Sequence, residues 1–222
     1  MYLSIEKNEL IEYISKQINN IFPDKNTVSP NEVGKVIDNA LTRLEFCFSK
    51  INPAIKYFSK DGIPYFNHMH SDQYCMFLWF LSNEAYLNDN INLAEKLFYL
   101  NKTLNCLDAF YSIKLPDVFM FCHPVGSIIG NAHYENYILI HQNVTIGASK
   151  EDIYPAFGEG IILYASSKVI GTSNISNNVI FAADASVVNE DIPANKLVFG
   201  QSKNLILKEH NGETIDKFFV RQ

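Results

Sequence analysis

The stretch FMFCHPVGSIIG, residues 119–130, sets one histidine, His123, between a cysteine and a proline and ahead of two glycines. An imidazole titrates near pH 6.5, so His123 can take a proton from a substrate hydroxyl and return it at neutral pH. The same residues also describe a turn histidine packed ahead of Pro124. Cys122 reads as a nucleophile that carries an acyl group or as a small buried thiol. His133 and His141 read as surface residues of nearby segments. The polar cluster NHMHSD at 67–72 contains His70 and Asp72. It reads as part of an acceptor pocket or as a loop followed by a helix cap.

Bulk composition narrows the function classes. The chain has 222 residues, of which 47% are hydrophobic and 19% charged, as in an ordinary globular protein. Its net charge is −6 without a long basic run, so nucleic acid and anionic membranes have no electrostatic footprint here. Cys47, Cys75, Cys106 and Cys122 are scattered without a CxxC pairing, which fits reduced thiols in the cytoplasm and argues against a zinc site. The N-terminus lacks a basic region followed by an apolar one, unlike a secretory signal. The most apolar stretch, YCMFLWFL at 74–81, is too short to form a transmembrane segment.

The elements that must position these residues change character near residue 107. Before it, Leu10, Ile11, Ile14, Ile18 and Ile21 recur at helical spacing behind Ser4, the expected N-cap. A second helix follows Ser29 and Pro30 through Val33, Val36, Ile37, Leu41 and Leu44. Ser71 and Asp72 are expected to open a third helix, and INLAEKLFYLNKTL a fourth. Beyond residue 107 the period becomes six. Phe157, Leu163, Val169, Ile175, Phe181 and Val187 form one apolar series, and Ile128, Tyr134, Ile140 and Ile146 form another upstream of the insert ASKEDIYPA. Six-residue apolar periodicity is the signature of a parallel β-helix whose inward residues stack as one core. The expected fold is α+β: an α-helical domain over 1–107, a parallel β-helix of about five coils over 108–205, and a tail over 206–222.

Within 108–204 the order of residues resembles the C-terminal part of serine acetyltransferases, hexapeptide-repeat enzymes with a left-handed parallel β-helix. In that family an aspartate stands fifteen residues before a catalytic histidine that opens a run like H-A-T-G-x-x-x-G. Here Asp108 precedes His123, which opens HPVGSIIG with Gly126 and Gly130 in register. LIHQNVTIGA, EGIILYASSKVIG and DASVVNEDIPANKLVFGQSKNLI are similar to the later motifs of the family.

The resemblance implies an acetyl-CoA-dependent O-acetyltransferase with His123 as general base and Asp108 on its far ring nitrogen. One coil of separation makes the two vertical neighbours. It also implies acetyl-CoA in a groove between subunits of a homotrimer or dimer of trimers, near Gly147, Ala165, Lys168, Ser202 and Lys203, with no metal. Substrate contacts fall at Cys122 and Tyr154, joined by His70 and Asp72 from the polar loop. Family members carry an aspartate before the catalytic histidine, and an arginine and histidine before the proline of the insert. This chain has Cys122, and Ile153 and Tyr154 before Pro155. The acceptor is therefore serine or a related small molecule, or alternatively a sugar or polysaccharide hydroxyl in surface-glycan synthesis. A β-helical carbonic anhydrase needs three histidines on zinc, and the close histidine pair of that class is missing. A non-catalytic scaffold is the remaining alternative, distinguished by failure to bind CoA.

Overall fold

The computed structural model describes residues 1–150 and 152–221. Glu151 of the insert and Gln222 of the tail lie outside the described residues. The chain divides into two compact units, Met1–Ser49 with Pro53–Ser112, and Lys50–Asn52 with Ile113–Gln222. The first is helical and the second a parallel β-solenoid, the architecture expected from the two periods. Among the described residues no helix is long and apolar enough to cross a membrane.

In the helical unit, β1 (Tyr2–Leu3) is parallel to β3 (Ile63–Phe66), which pairs antiparallel with β2 (Ser59–Lys60). Of the helices α1 (Lys7–Ile21), α2 (Pro30–Ser49), α3 (Ser71–Leu87) and α4 (Ile91–Asn105), α3 packs between α2 and α4, and α1 packs on α2 and α4. Every residue of α3 from Asp72 to Ala85 is buried, as expected for a helix surrounded by others. Helix α2 starts where the sequence predicts: the Ser29 hydroxyl accepts the Glu32 N–H, and Glu32 accepts the Ser29 N–H at 2.9 Å. One expected cap differs. Helix α1 is capped by Glu6 in a reciprocal pair with Glu9, while Ser4 is drawn off to the Nδ1 of His68 at 2.7 Å. Helix α3 is preceded by His70, with no side-chain cap. Ser71 is exposed, and Asp72, 3% exposed, lies inside the first turn where the helix dipole favours a carboxylate.

The solenoid has three parallel faces, which the chain visits in rotation. The first stacks β5 (Phe119–Phe121), β8 (Ile138–Ile140), β11 (Ile161–Leu163), β14 (Val179–Phe181) and β16 (Lys196–Phe199). The second stacks β6 (Ile128–Ile129), β9 (Thr145–Gly147), β12 (Lys168–Ile170) and β15 (Ser186–Val188). The third stacks β7 (His133–Tyr134), β10 (Ala156–Phe157) and β13 (Asn174–Ile175), followed by a bridge from Ile175 to Ile192.

Phe157, Leu163, Val169, Ile175, Phe181 and Val187 all point inward, none more than 3% exposed. In the upstream series Tyr134, Ile140 and Ile146 do the same, but Ile128 does not. It is 51% exposed and Ile129 is the inward residue, paired with Ile146. The turn at Gly130 is one residue short, five positions from Ile129 to Tyr134, which shifts the phase ahead of it, and only glycine fits there because a Cβ would lie 2.6 Å from the Ile146 carbonyl oxygen.

The tail after residue 205 folds back on the solenoid. Strand β17 (Ile206–Glu209) runs antiparallel along β16. Helix α5 (Thr214–Phe218) is anchored by Asn178, whose Oδ1 accepts the Thr214 N–H at 2.9 Å and hydroxyl at 2.6 Å. The same side chain donates to the Asn195 side chain and the Gly212 carbonyl. Ile51 bridges Phe219, tying residues 50–52 to this unit.

Candidate functional site

His123 lies at the corner between the first and second faces. In the next coil the chain takes six positions to pass from Ile140 to Ile146, the inward residues of β8 and β9. In the first coil it takes eight, from Phe121 to Ile129, the partners of those two residues. His123 and Pro124 thus form a two-residue bulge on an otherwise regular corner. Such bulges re-aim side chains. The His123 backbone has φ +50, a left-handed conformation that costs a non-glycine residue roughly 1–3 kcal/mol.

Local hydrogen bonds hold this conformation. The Val125 N–H donates to the His123 carbonyl at 2.7 Å, a tight turn about buried Pro124. The Ser127 N–H donates to the Pro124 carbonyl at 3.1 Å. Gly126 occupies the third position of that turn with φ +77, where a type II turn needs glycine. A Cβ on Gly126 would also lie 2.3 Å from Asn143 Oδ1. Buried Ser127 pins the far end of the bulge, donating to the His141 carbonyl at 2.8 Å and accepting the Val144 N–H. The His123 ring emerges exposed beside half-buried Cys122.

Below His123 the corner is regular. Cys122, His141, Tyr164 and Ala182 follow the inward residues of successive coils, each linked by a backbone bond to the coil beneath. The rings of His141 and Tyr164 lie 4.9 Å apart at 33°. The pair escapes the six-residue count because the insert separates its members by an irregular number of positions. Counting from the inward residues Ile140 and Leu163 would have revealed it.

The expected cofactor residues converge on the second face and its edges. Ala165 follows Tyr164 on the corner. Lys168 pairs with Thr145, and Gly147 with Ile170, on neighbouring strands β9 and β12. The Lys168 ammonium lies 3.1 Å from the Ser166 carbonyl. The Ser202 hydroxyl accepts the Val188 N–H at 2.7 Å, and the Lys203 N–H meets Glu190. A backbone line of Gly147, Ile170, Val188 and Ser202 therefore runs down one edge of this face.

Of the remaining expected site residues, Tyr154 lies on the insert, and His70, Asp72 and Asp108 lie in the helical unit. Tyr154, on the insert at the opposite end of the second face from His123, lines a 360 Å³ cavity with Asn131, His133, Asp152 and Pro155. Exposed His133 is paired with Glu135 at 2.9 Å. In the helical unit, His70 stacks on Tyr57 with centroids 4.7 Å apart. Asp108 follows α4 in the short strand β4 (Asp108–Ala109), its Oδ2 2.6 Å from the Lys102 ammonium. That ammonium also lies over the Phe98 ring.

No family model matches the chain. A serine acetyltransferase of Staphylococcus epidermidis is 25% identical over 143 residues, 63% of this chain and 66% of that protein. One of Synechococcus elongatus is 30% identical over 112 residues, 49% of this chain and 46% of that protein. The chain thus spans just under two thirds and just under half of these relatives. The serine acetyltransferase of Neisseria gonorrhoeae superposes with a TM-score of 0.70 at 17% identity, over 95% of this chain and 82% of that one. The Brucella abortus enzyme in complex with coenzyme A gives 0.66 at 16% identity, over 93% and 84%. The Neisseria enzyme in complex with serine gives 0.64 at 17%, over 86% and 81%. In sequence this chain is similar to serine acetyltransferases, and in fold it matches their solved structures.

Proposed function

We propose that the chain is an acetyl-CoA-dependent O-acetyltransferase in which His123 is the general base. The carrying observation is the two-residue bulge that presents His123 on a solenoid similar to serine acetyltransferases, with the turn glycine Gly126 in register. A neutral alcohol is a poor nucleophile near pH 7, so the acceptor hydroxyl must lose its proton as it attacks. His123 takes that proton while the hydroxyl oxygen bonds to the thioester carbon. The tetrahedral oxyanion then collapses, the carbon–sulfur bond breaks, and the imidazolium returns the proton to the leaving CoA thiolate. Removing such a base costs about a hundredfold to ten-thousandfold in rate.

Asp108 is the proposed partner of the other imidazole nitrogen, fixing the tautomer and stabilising the imidazolium. Acetyl-CoA is proposed to lie along the second face beside Gly147, Ala165, Lys168, Ser202 and Lys203. The complexes of the Brucella and Neisseria enzymes with coenzyme A and with serine support a CoA donor and a small acceptor. Cys122, Tyr154, His70 and Asp72 are proposed on the acceptor side, in a cytoplasmic homotrimer or dimer of trimers. With Cys122, Ile153 and Tyr154 at the positions where the family carries charges, a sugar hydroxyl stands beside serine as acceptor. The test is release of free CoA thiol from acetyl-CoA with serine, homoserine and sugars, with His123→Ala in parallel. Acceptor-dependent release abolished by the substitution is expected; release that survives it sinks the mechanism.

A further inference from the structure

We propose that the acetyl acceptor is a neutral, ring-bearing polyol, a saccharide, whose ring lies against the His141–Tyr164 pair. This deepens the O-acetyltransferase reading and rests on it. Successive rungs of a parallel sheet stand about 4.8 Å apart, so His141 is one rung below Cys122, the neighbour of His123, and Tyr164 is two. Both rings are half-buried at the solenoid surface, 4.9 Å apart. They form an aromatic ledge on the corner. Such a ledge suits a sugar, whose C–H face packs on an aromatic ring while its hydroxyls seek donors and acceptors.

The charge distribution points the same way. Residues 122–127, 141–144 and 164–167, which build the first three levels of this corner, include no carboxylate, lysine or arginine. The next residue, Lys168, has its ammonium turned onto the Ser166 carbonyl. A free amino acid brings an ammonium and a carboxylate, both of which need charged partners once out of water. Amides, hydroxyls, aromatic rings and the single carboxylate proposed on the acceptor side, Asp72, which can accept hydrogen bonds from sugar hydroxyls, suffice for a neutral polyol. These levels of the corner offer no cationic side chain to an amino acid's carboxylate. One sugar hydroxyl oxygen takes the acetyl carbon, its proton passes to His123, and CoA leaves as a thiolate that recovers the proton.

The experiment is steady-state thiol release from acetyl-CoA by the full chain, using methyl glucosides, methyl galactosides, N-acetylglucosamine and L-serine as acceptors. Acetyl-CoA binding is measured alongside by calorimetry. Turnover with a neutral sugar is expected. Tyr164→Ala should raise the KM for that sugar about tenfold and leave the KM for acetyl-CoA within about twofold, whereas Tyr164→Phe, which keeps the ring, should raise the sugar KM by less. His141→Ala should act in the same direction and serves if Tyr164→Ala fails to fold. Turnover with serine and none of the sugars overturns the saccharide assignment alone. So does a rise in the KM for acetyl-CoA in place of that for the sugar, or acetyl-CoA binding without turnover of any sugar. Absence of acetyl-CoA binding overturns the acetyltransferase reading itself.

Discussion

The two units solve the problem of burying a core in opposite ways. The helical unit centres on one helix, α3, which packs between α2 and α4 and is buried from Asp72 to Ala85. Its stability is concentrated where one side chain touches several elements. The solenoid stacks equivalent coils, so each inward residue supports chiefly the coil above and the coil below. Repetition leaves its outer surface free to vary. An extra pair of residues can therefore be inserted at one corner, and His123 displayed there, without disturbing the stack beneath. A change to the core should be felt more in the helical unit, and a change to the surface chemistry more on the solenoid.

The sharpest separation is expected from His123→Ala. Activity should fall about a hundredfold to ten-thousandfold, while the melting midpoint, set by an exposed ring, changes by no more than about 0.5 kcal/mol equivalent. Thiol release and thermal denaturation read the two quantities, and a large loss of stability would show that the bulge is structural. Next, Phe77→Ala in α3 should cost about 3–5 kcal/mol by denaturant unfolding. Val169→Ala on the solenoid removes fewer atoms and should cost about 2–3 kcal/mol. Equal losses would break the contrast between a concentrated and a distributed core.

Asn178→Ala should destabilise by about 2 kcal/mol, because it strips partners from the buried ends of the tail. Hydrogen exchange should then rise first in α5 and β17. The smallest effect is electrostatic. Hydrogen bonds from the Ser29 backbone and hydroxyl hold the Glu32 carboxyl below its usual range. A lowered folded value stabilises above the unfolded value and is lost as pH falls through the folded one. Acid melts should therefore weaken the start of α2 by less than about 1 kcal/mol, given the exposure of the group. Glu32→Gln should flatten that part of the pH profile, and an unchanged profile would exclude the cap as its source.

The solenoid was more legible in the sequence than its decoration. A period of six assigns the six stacked inward residues from Phe157 to Val187, because the repeat averages over any one exception. The method fails where the repeat is broken. Ile128 was read as inward because neither the short turn at Gly130 nor the bulge at His123 changes the residue types, only their count. The helices of the first unit were legible from their apolar stripes, but their caps were less so. Ser4 is a good cap by type, yet tertiary contact with His68 claims its hydroxyl, and Glu6 with Glu9 takes over the role. His123 stands out as a candidate through the resemblance, in the spacing of Asp108 and the glycines around it. The His141–Tyr164 pair does not, since the residues that meet across coils are far apart in sequence and straddle an insert.

Strand β17 has one further consequence. A stack of parallel coils is in principle an unfinished polymer, since its last rung offers the same pattern of donors and acceptors as every rung before it. On the first face that invitation is withdrawn. β17 runs the other way along β16, and a Lys208 ammonium sits over the Phe199 ring at the same edge. A second molecule arriving end-on would meet a reversed, charged strand and not a continuation of its own ladder. On that face the tail thereby turns a self-complementary edge into one that a parallel coil does not match.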